Sequence, residues 1–192
     1  MKKALLIHGW GEKKEYYNPN LPTASNSHWF PWLSKQLMIR NIHTVAIEMP
    51  NSYYPEYEIW KRELERFELD KNTILIGHST GAGFIVRYLS ENNVQVGKVI
   101  LAAPWLGISF NDGEPFDKTF FDFQIDKNLA QKTASISLVE STNDMPQIQE
   151  SVKILKDSID NMKIITLENK GHFTFEDLGT VEFPELLEEV LL

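Results

Sequence analysis

The sequence contains no cysteine, and this absence excludes several kinds of chemistry at once. Without a thiol, the chain can form no disulfide framework, no thiolate metal site and no cysteine nucleophile. Basic residues are also scarce: 19 Lys and Arg stand against 27 Asp and Glu, and the formal net charge is −8. Because binding to a phosphate backbone depends on clustered Lys and Arg, we expect no nucleic-acid partner.

Long apolar runs are missing as well. The run after the two opening lysines, "ALLI", is four residues long, which is too short for the core of a secretory signal peptide. No stretch approaches the roughly 18 apolar residues that a membrane-spanning helix needs. We therefore expect a cytoplasmic protein without a membrane span. Hydrophobic residues make up 42% of the 192 residues, which favours one globular domain over residues 1–192.

Short apolar runs are what the chain does contain. Six of them predict β-strands, at 2–9, 43–50, 72–79, 98–104, 134–141 and 163–169. The segments between them repeat apolar residues at helical spacing, with stripes formed by Trp29, Trp32, Leu33 and Leu37, by Trp60, Leu64 and Phe67, by Ile148, Val152, Leu155 and Ile159, and by Phe183, Leu186, Leu187, Val190 and Leu191. Strands that are apolar throughout and alternate with amphipathic helices predict an α/β fold, a doubly wound, mainly parallel six-stranded sheet with helices on both faces.

Two long segments, 9–28 and 105–130, interrupt this alternation. Long loops at the carboxyl ends of strands commonly form ligand sites in such sheets, so we expect both segments to wall a site. The second segment is interpreted as a small lid-like insertion. Its apolar and aromatic residues would either line an acyl pocket or pack the lid onto the domain. They are Trp105, Leu106, Phe110, Phe116, Phe120, Phe121 and Phe123.

The stretch "GHSTG" matches the pattern G-x-S-x-G, and it lies between a predicted strand and the apolar helical segment "AGFIVRYLS". A sharp strand-to-helix turn would expose the Ser79 hydroxyl, and the close passage of strand and helix would require Gly77 and Gly81. The start of the helix also points N–H groups toward a developing negative charge. These features predict that Ser79 is a nucleophile. The alternative is a glycine-rich turn that binds phosphate or only closes a tight connection.

A serine hydroxyl is a weak nucleophile and needs a base that a third group orients. In chains with this kind of turn, the acid and then the histidine follow the serine, each in a loop after a later strand. The sequence places Asp144 in "STNDMP" after the fifth strand and His172 in "NKGHF" after the sixth. The alternatives are a helix cap for Asp144 and an exposed turn residue for His172.

The oxyanion of an acyl-transfer reaction needs backbone donors. We expect one to be the N–H of Thr80, which follows the nucleophile, and the other to be the N–H of Trp10 in "HGWG". Gly9 would let the chain turn back toward the serine at this point.

The four remaining histidines receive other roles. We expect His8 either to support the turn at Gly9 by hydrogen bonding or to be a satisfied histidine at a strand end. We expect His78 to act in packing or in support of the site, and we interpret His28 and His43 as structural or solvated. Because scattered histidines do not make a metal site, we expect neither a metal nor a cofactor.

In combination, these motifs resemble the small serine hydrolases related to retinoblastoma-binding protein 9 and to the bacterial YdeN-type proteins, which are minimal α/β-hydrolases. The shared blocks span nearly the whole chain: "HGW", "HWFPWLSKQL", "MPN", "IWKRELE", "TILIGHSTGA" with "RYL", "STND" and "KGHF". The resemblance implies a triad of Ser79, Asp144 and His172, esterase-like hydrolysis of a small-molecule acyl substrate, a small lid and the strand order 2-1-3-4-5-6. It also allows for a protein partner, because some members are described chiefly as binding proteins.

The sequence departs from the family pattern at two places. Pro often follows the acid directly in the family, whereas Met145 separates Asp144 from Pro146 here, and the loop 11–27 is longer than usual. Two other functions stay open from the sequence. One is a binding protein with a vestigial hydrolase pocket, and the other is a peptidase or amidase, which needs the same residues with better protonation of the leaving group.

Overall fold

A computed structural model of the chain describes residues 1–108 and 116–192. Its centre is one six-stranded sheet in which every neighbouring pair of strands is parallel, in the order β2-β1-β3-β4-β5-β6. The strands are β1 (Lys3–Ile7), β2 (His43–Ile47), β3 (Thr73–His78), β4 (Val96–Ala102), β5 (Thr133–Ser141) and β6 (Lys163–Leu167). The predicted doubly wound α/β fold and the predicted strand order are confirmed.

Helices connect these strands as the apolar stripes predict. They are α1 (Lys13–Tyr16), α2 (Phe30–Met38), α3 (Tyr57–Leu64), α4 (Thr80–Glu91), α5 (Pro146–Ser158), α6 (Phe175–Leu178) and α7 (Pro184–Leu191), with short 3₁₀ turns at Ala24–Asn26, Lys118–Phe121 and Leu129–Lys132. Three predicted stripes extend too far: α3 ends before Phe67, α5 ends at Ser158, before Ile159, and Leu191 at the end of α7 is exposed. Within residues 1–108 and 116–192, none of the helices combines the length and the hydrophobicity that a membrane span requires.

The register of the sheet brings the candidate loops to one edge. Ile7, the last residue of β1, lies opposite Gly77, and Ser141, the last residue of β5, lies opposite Leu167. In a parallel sheet, the loops that follow such aligned strand ends emerge on the same side. The segments after β1, β3, β5 and β6 therefore meet above the carboxyl edge of the sheet.

The aromatic segment after β4 packs onto the domain. Phe120 is fully buried, and its ring lies 5.2 Å from that of Trp60. Arg87 of α4 donates hydrogen bonds to the carbonyl oxygens of Thr119 and Phe120. None of the described residues of 105–130 lines the large cavity discussed below, and Phe110 lies outside the described residues. Packing rather than pocket lining thus describes Phe120, and a lid function for this segment stays a prediction.

Candidate active site

Ser79 lies at the junction of β3 and α4 with φ 55° and ψ −122°, a conformation that L-residues seldom adopt. Gly77 and Gly81, which flank this serine, have no room for a side chain. A Cβ on Gly77 would lie 2.5 Å from Ala82 Cα, and a Cβ on Gly81 would overlap the carbonyl oxygens of Ile7 and His8. The strand and the helix therefore pass too closely for any side chain at these positions, and the serine between them is raised on a strained turn.

The loop after β1 runs directly beside this serine. A Cβ on Gly9 would lie 2.8 Å from Ser79 Cβ and 3.3 Å from its hydroxyl oxygen. The next residue, Trp10, donates its backbone N–H to Thr80 Oγ1 at 3.2 Å and its indole N–H to the Tyr53 carbonyl at 3.0 Å. The N–H of Trp10 is thus aimed at the start of α4, within reach of the residue after the serine.

The loops after β5 and β6 bring an acid and an imidazole together. His172 Nδ1 lies 3.1 Å from both carboxylate oxygens of Asp144, whose side chain is 2% exposed. Asp144 is not a helix cap, because α5 begins at Pro146 with Met145 as the residue before it. Since Asp144 accepts from Nδ1–H, the other ring nitrogen of His172, Nε2, is left as a hydrogen-bond acceptor. Ser79 and His172 line the same cavity, and no hydrogen bond joins their side chains within the described part of the chain.

Several polar side chains that the sequence interpretation missed tie these two loops together. Asn143 Oδ1 accepts the backbone N–H of Gly171 at 2.8 Å, and Ser141 Oγ accepts that of Lys170 at 2.9 Å. Asp177 accepts the N–H of His172 at 2.8 Å and also closes a capping box at the start of α6. These bonds set the position of the imidazole. The only signal in the sequence was that polar residues follow both strands.

His78 is hydrogen bonded to the backbone carbonyl of His172. Its Nε2–H donates to that carbonyl at 2.8 Å, and its ring packs edge-on against Trp29 and Phe30. Burial holds the pKa of His78 well below its ordinary value, and the nearby His172 lowers it further. The ring is therefore a neutral donor that supports the site.

His8 holds the turn at Gly9. Nδ1–H of its ring donates to the Gly9 carbonyl at 2.8 Å, and Nε2 accepts the backbone N–H of Met49 at 2.8 Å. Burial lowers the pKa of His8, although the carboxylate of Glu48 opposes this shift. His8 is thus neutral and hydrogen bonded at both nitrogens, and it joins the loops after β1 and β2.

Of the two histidines interpreted as structural or solvated, His43 is exposed and His28 lines the cavity. His43 is exposed at the start of β2, as the sequence interpretation expected. His28 instead lines the cavity that contains Ser79, and its Nδ1 accepts the backbone N–H of Phe175 at 3.0 Å. The relevant signal was present, since His28 is the last residue of the segment 9–28 that we expected to wall a site.

The cavity at this edge has a volume of about 1320 Å³. Its walls come mainly from the segment 9–28 and from the start of α6, with the aromatic side chains Tyr16, Tyr17, Trp32 and Phe175. Four glutamates line it, and among the described residues no Lys or Arg does. No group of three or more described His, Asp or Glu residues has the arrangement of a metal site.

Comparison with known proteins places this geometry in a family. The family model described as "Serine hydrolase" matches residues 4–190. YdeN of Bacillus subtilis (strain 168) is 27% identical over 189 residues, which cover 95% of this chain and 91% of YdeN. The crystal structure of the B. subtilis ydeN gene product superposes with a TM-score of 0.80 at 24% identity, covering 100% of this chain and 97% of that one. Est1E from Butyrivibrio proteoclasticus shares the fold at 14% identity with a TM-score of 0.67, over 99% and 86% of the two chains. The chain belongs to the serine hydrolase family.

Proposed function

We propose that this protein is a carboxylesterase-like enzyme that cleaves small acyl esters through a Ser79–His172–Asp144 triad. One observation carries the proposal. The imidazole of His172, oriented by a buried carboxylate 3.1 Å from Nδ1, lines the same cavity as a serine on a strained strand-to-helix turn. These are the three kinds of group that acyl transfer needs, and the carboxylate is already in contact with the imidazole.

The first half of the reaction forms an acyl-enzyme. His172 Nε2 takes the proton of Ser79 as Oγ attacks the ester carbonyl, and the carbon becomes tetrahedral with a negative oxygen. His172 then returns the proton to the leaving alkoxide as the carbon–oxygen bond breaks. Asp144 stabilises the imidazolium in between, because its carboxylate faces Nδ1–H. Water repeats these steps on the acyl-enzyme and releases the acid.

The oxyanion is held by two backbone donors in this mechanism. The N–H of Thr80 is at the first residue of α4, where helix N–H groups have no partner within the helix. The N–H of Trp10 is engaged with Thr80 Oγ1 at the long distance of 3.2 Å. When substrate binds, this N–H transfers from the hydroxyl to the oxyanion, which is the stronger acceptor.

Replacing the nucleophile tests the proposal. Ser79→Ala should lower turnover of a short p-nitrophenyl ester by about 10⁶-fold and leave a residual rate on the order of 10³ over water. A fluorophosphonate probe should label the wild type at Ser79 and should not label Ser79→Ala or His172→Ala. Ser135→Ala, at an exposed serine of β5, is the matched control and should behave as the wild type.

Two results would replace the proposal with another function. Full hydrolysis by Ser79→Ala would show that the nucleophile is a different residue, and absence of labelling in the wild type would indicate a binding protein with a vestigial pocket. A matched ester and anilide pair separates an esterase from an amidase, because the amide needs stronger protonation of its leaving group. We expect the ester to be cleaved faster.

A further inference from the structure

His28 lines the cavity, but the proposed mechanism gives it no role. It lies next to Trp29, which is fully buried and stacks on Phe30 with ring centroids 4.2 Å apart. The backbone at His28 has φ 54°, so it is held in the left-handed region. The His28 ring lies 6.5 Å from that of His78, which supports His172. The backbone conformation of His28 and the buried Trp29 beside it therefore hold the His28 ring at a fixed position in the cavity wall.

The hydrogen bonding of His28 determines where its proton lies. Nδ1 accepts the backbone N–H of Phe175 at 3.0 Å, so in the neutral ring the proton is on Nε2. Among the described residues, none accepts a hydrogen bond from this Nε2–H. Burial lowers the pKa of His28 and so favours the neutral ring, although Glu176, Asp177 and Glu15 act in the opposite direction. His172 is also close enough to lower the pKa of His28.

We propose that His28 is a substrate-binding residue whose Nε2–H donates a hydrogen bond to a neutral oxygen of the ester, such as an ether, hydroxyl or second carbonyl oxygen. This inference rests on the proposed function, because it places the substrate in the cavity at Ser79. A neutral acceptor fits better than an anionic one, since Glu15 and Glu176 line the same cavity and would repel a negative group. The cavity then recognises esters that carry an oxygen beyond the reacting group.

Substitution of His28 by asparagine can distinguish a substrate-binding role from a purely structural one. Asn tolerates positive φ, and its amide oxygen can replace Nδ1 as the acceptor for the N–H of Phe175. It has no group that reaches the position of Nε2. His28→Asn therefore keeps the backbone and the contact with α6 but removes the proposed donor. His28→Gln, whose amide nitrogen reaches the Nε2 position, is the matching rescue variant.

The experiment uses pairs of esters of equal length in which an ether oxygen replaces one methylene, scanned along the acyl and the alcohol chain. For each pair, the measured quantity is the kcat/KM of the ether ester divided by that of the alkyl ester. At one position at least, this ratio should be about tenfold lower in His28→Asn than in the wild type, the factor that one neutral hydrogen bond supplies. His28→Gln should recover part of the ratio, because its amide nitrogen supplies a donor again.

The outcomes that overturn the proposal are distinct from those that overturn the proposed function. An unchanged ratio in His28→Asn at every position would exclude the donor role, and so would an equal loss for both esters, which is the mark of a displaced His172 loop. If thermal melting shows that His28→Asn is unfolded, the same ratio is read in His28→Gly, which also suits positive φ. Failure of the proposed function would instead show as a wild type that neither hydrolyses any ester nor reacts with fluorophosphonate.

Discussion

At the scale of single residues, the site depends on neutral histidines that each have one defined proton. His78 donates Nε2–H to the carbonyl of His172, and His8 accepts the N–H of Met49. Both rings are buried, and burial lowers the pKa of each. A buried imidazolium would need hydration that these positions lack, so the fold favours the uncharged ring. The same burial that fixes the hydrogen bonds also makes the fold sensitive to acid.

The pH dependence of stability follows from the sign of this shift. The pKa of His78 in the folded protein is below the value of about 6.5 in the unfolded chain, so the unfolded chain binds the proton first. The contribution of neutral His78 to the free energy of unfolding is therefore fully present above pH 6.5 and is lost as the pH falls below that value. We expect the free energy of unfolding to decline below pH 6.5, by at most ~1.4 kcal/mol per pH unit for this group.

Urea unfolding at a series of pH values measures this decline. His78→Gln keeps an N–H for the carbonyl of His172 but cannot be protonated, so the slope below pH 6.5 should be smaller than in the wild type. His43→Gln replaces an exposed histidine of β2 and is the control for the loss of an imidazole outside the buried site. An identical slope in His78→Gln and the wild type would contradict the assignment.

At the scale of secondary-structure elements, the junction of β3 and α4 is packed closely against the end of β1. Gly81 in the first turn of α4 lies against the end of β1, where a Cβ would overlap two carbonyl oxygens. Backbone oxygens cannot move aside as the end of a flexible side chain can. The approach of α4 to β1 that raises Ser79 is therefore possible only with glycine at this position.

Gly81→Ala tests this contact. We expect a loss of about 3 kcal/mol in the free energy of unfolding, because overpacking against backbone forces α4 away from β1. Gly179→Ala is the matched control: Gly179 has φ 68° but a Cβ there would meet no atom within 4 Å, so only conformational strain of about 1 kcal/mol should appear. Equal losses for the two variants in denaturant unfolding would show that contact at Gly81 is not the deciding factor.

At the scale of the whole molecule, the negative charge of the protein extends into its cavity. The formal net charge is −8, and the glutamates that line the cavity are Glu12, Glu15, Glu48 and Glu176. Glu12 pairs with Lys14 at 2.6 Å, and Glu48 accepts the N–H of Ser25. Glu15 and Glu176 remain at the exposed rim. Because both the rim and the protein as a whole are negatively charged, they repel substrates that carry a negative charge.

We therefore expect esters with a carboxylate on the acyl chain to have a kcat/KM about tenfold or more below that of neutral esters of equal size at low salt. The difference should shrink as ionic strength rises, because salt screens the field. Glu15→Gln combined with Glu176→Gln should raise the rate for the anionic ester, whereas Glu188→Gln, on the exposed side of α7, should not. Equal rates for neutral and anionic esters at low salt would show that the rim does not select by charge.

Much of the fold and part of the site could be predicted because the relevant signals are local in sequence. The apolar runs of the six strands, the helical stripe of α5 and the glycines at 77 and 81 reflect the backbone of their own segment. The order of Ser79, Asp144 and His172 along the chain also follows from where strands end. The ends of the helices were predicted less well. At Phe67, for example, the spacing of apolar residues continues past the end of α3.

The elements that form, and the hydroxyl, carboxylate and imidazole groups that follow the strand ends, could be read from the sequence because hydrophobic periodicity and turn chemistry act between near neighbours. How those groups are held depends on the tertiary structure. The bond from Lys170 to Ser141 spans 29 residues, that from His78 to the carbonyl of His172 spans 94, and that from Phe175 to His28 spans 147. Such pairs come together only when the sheet aligns the ends of its strands, so no local pattern contains them.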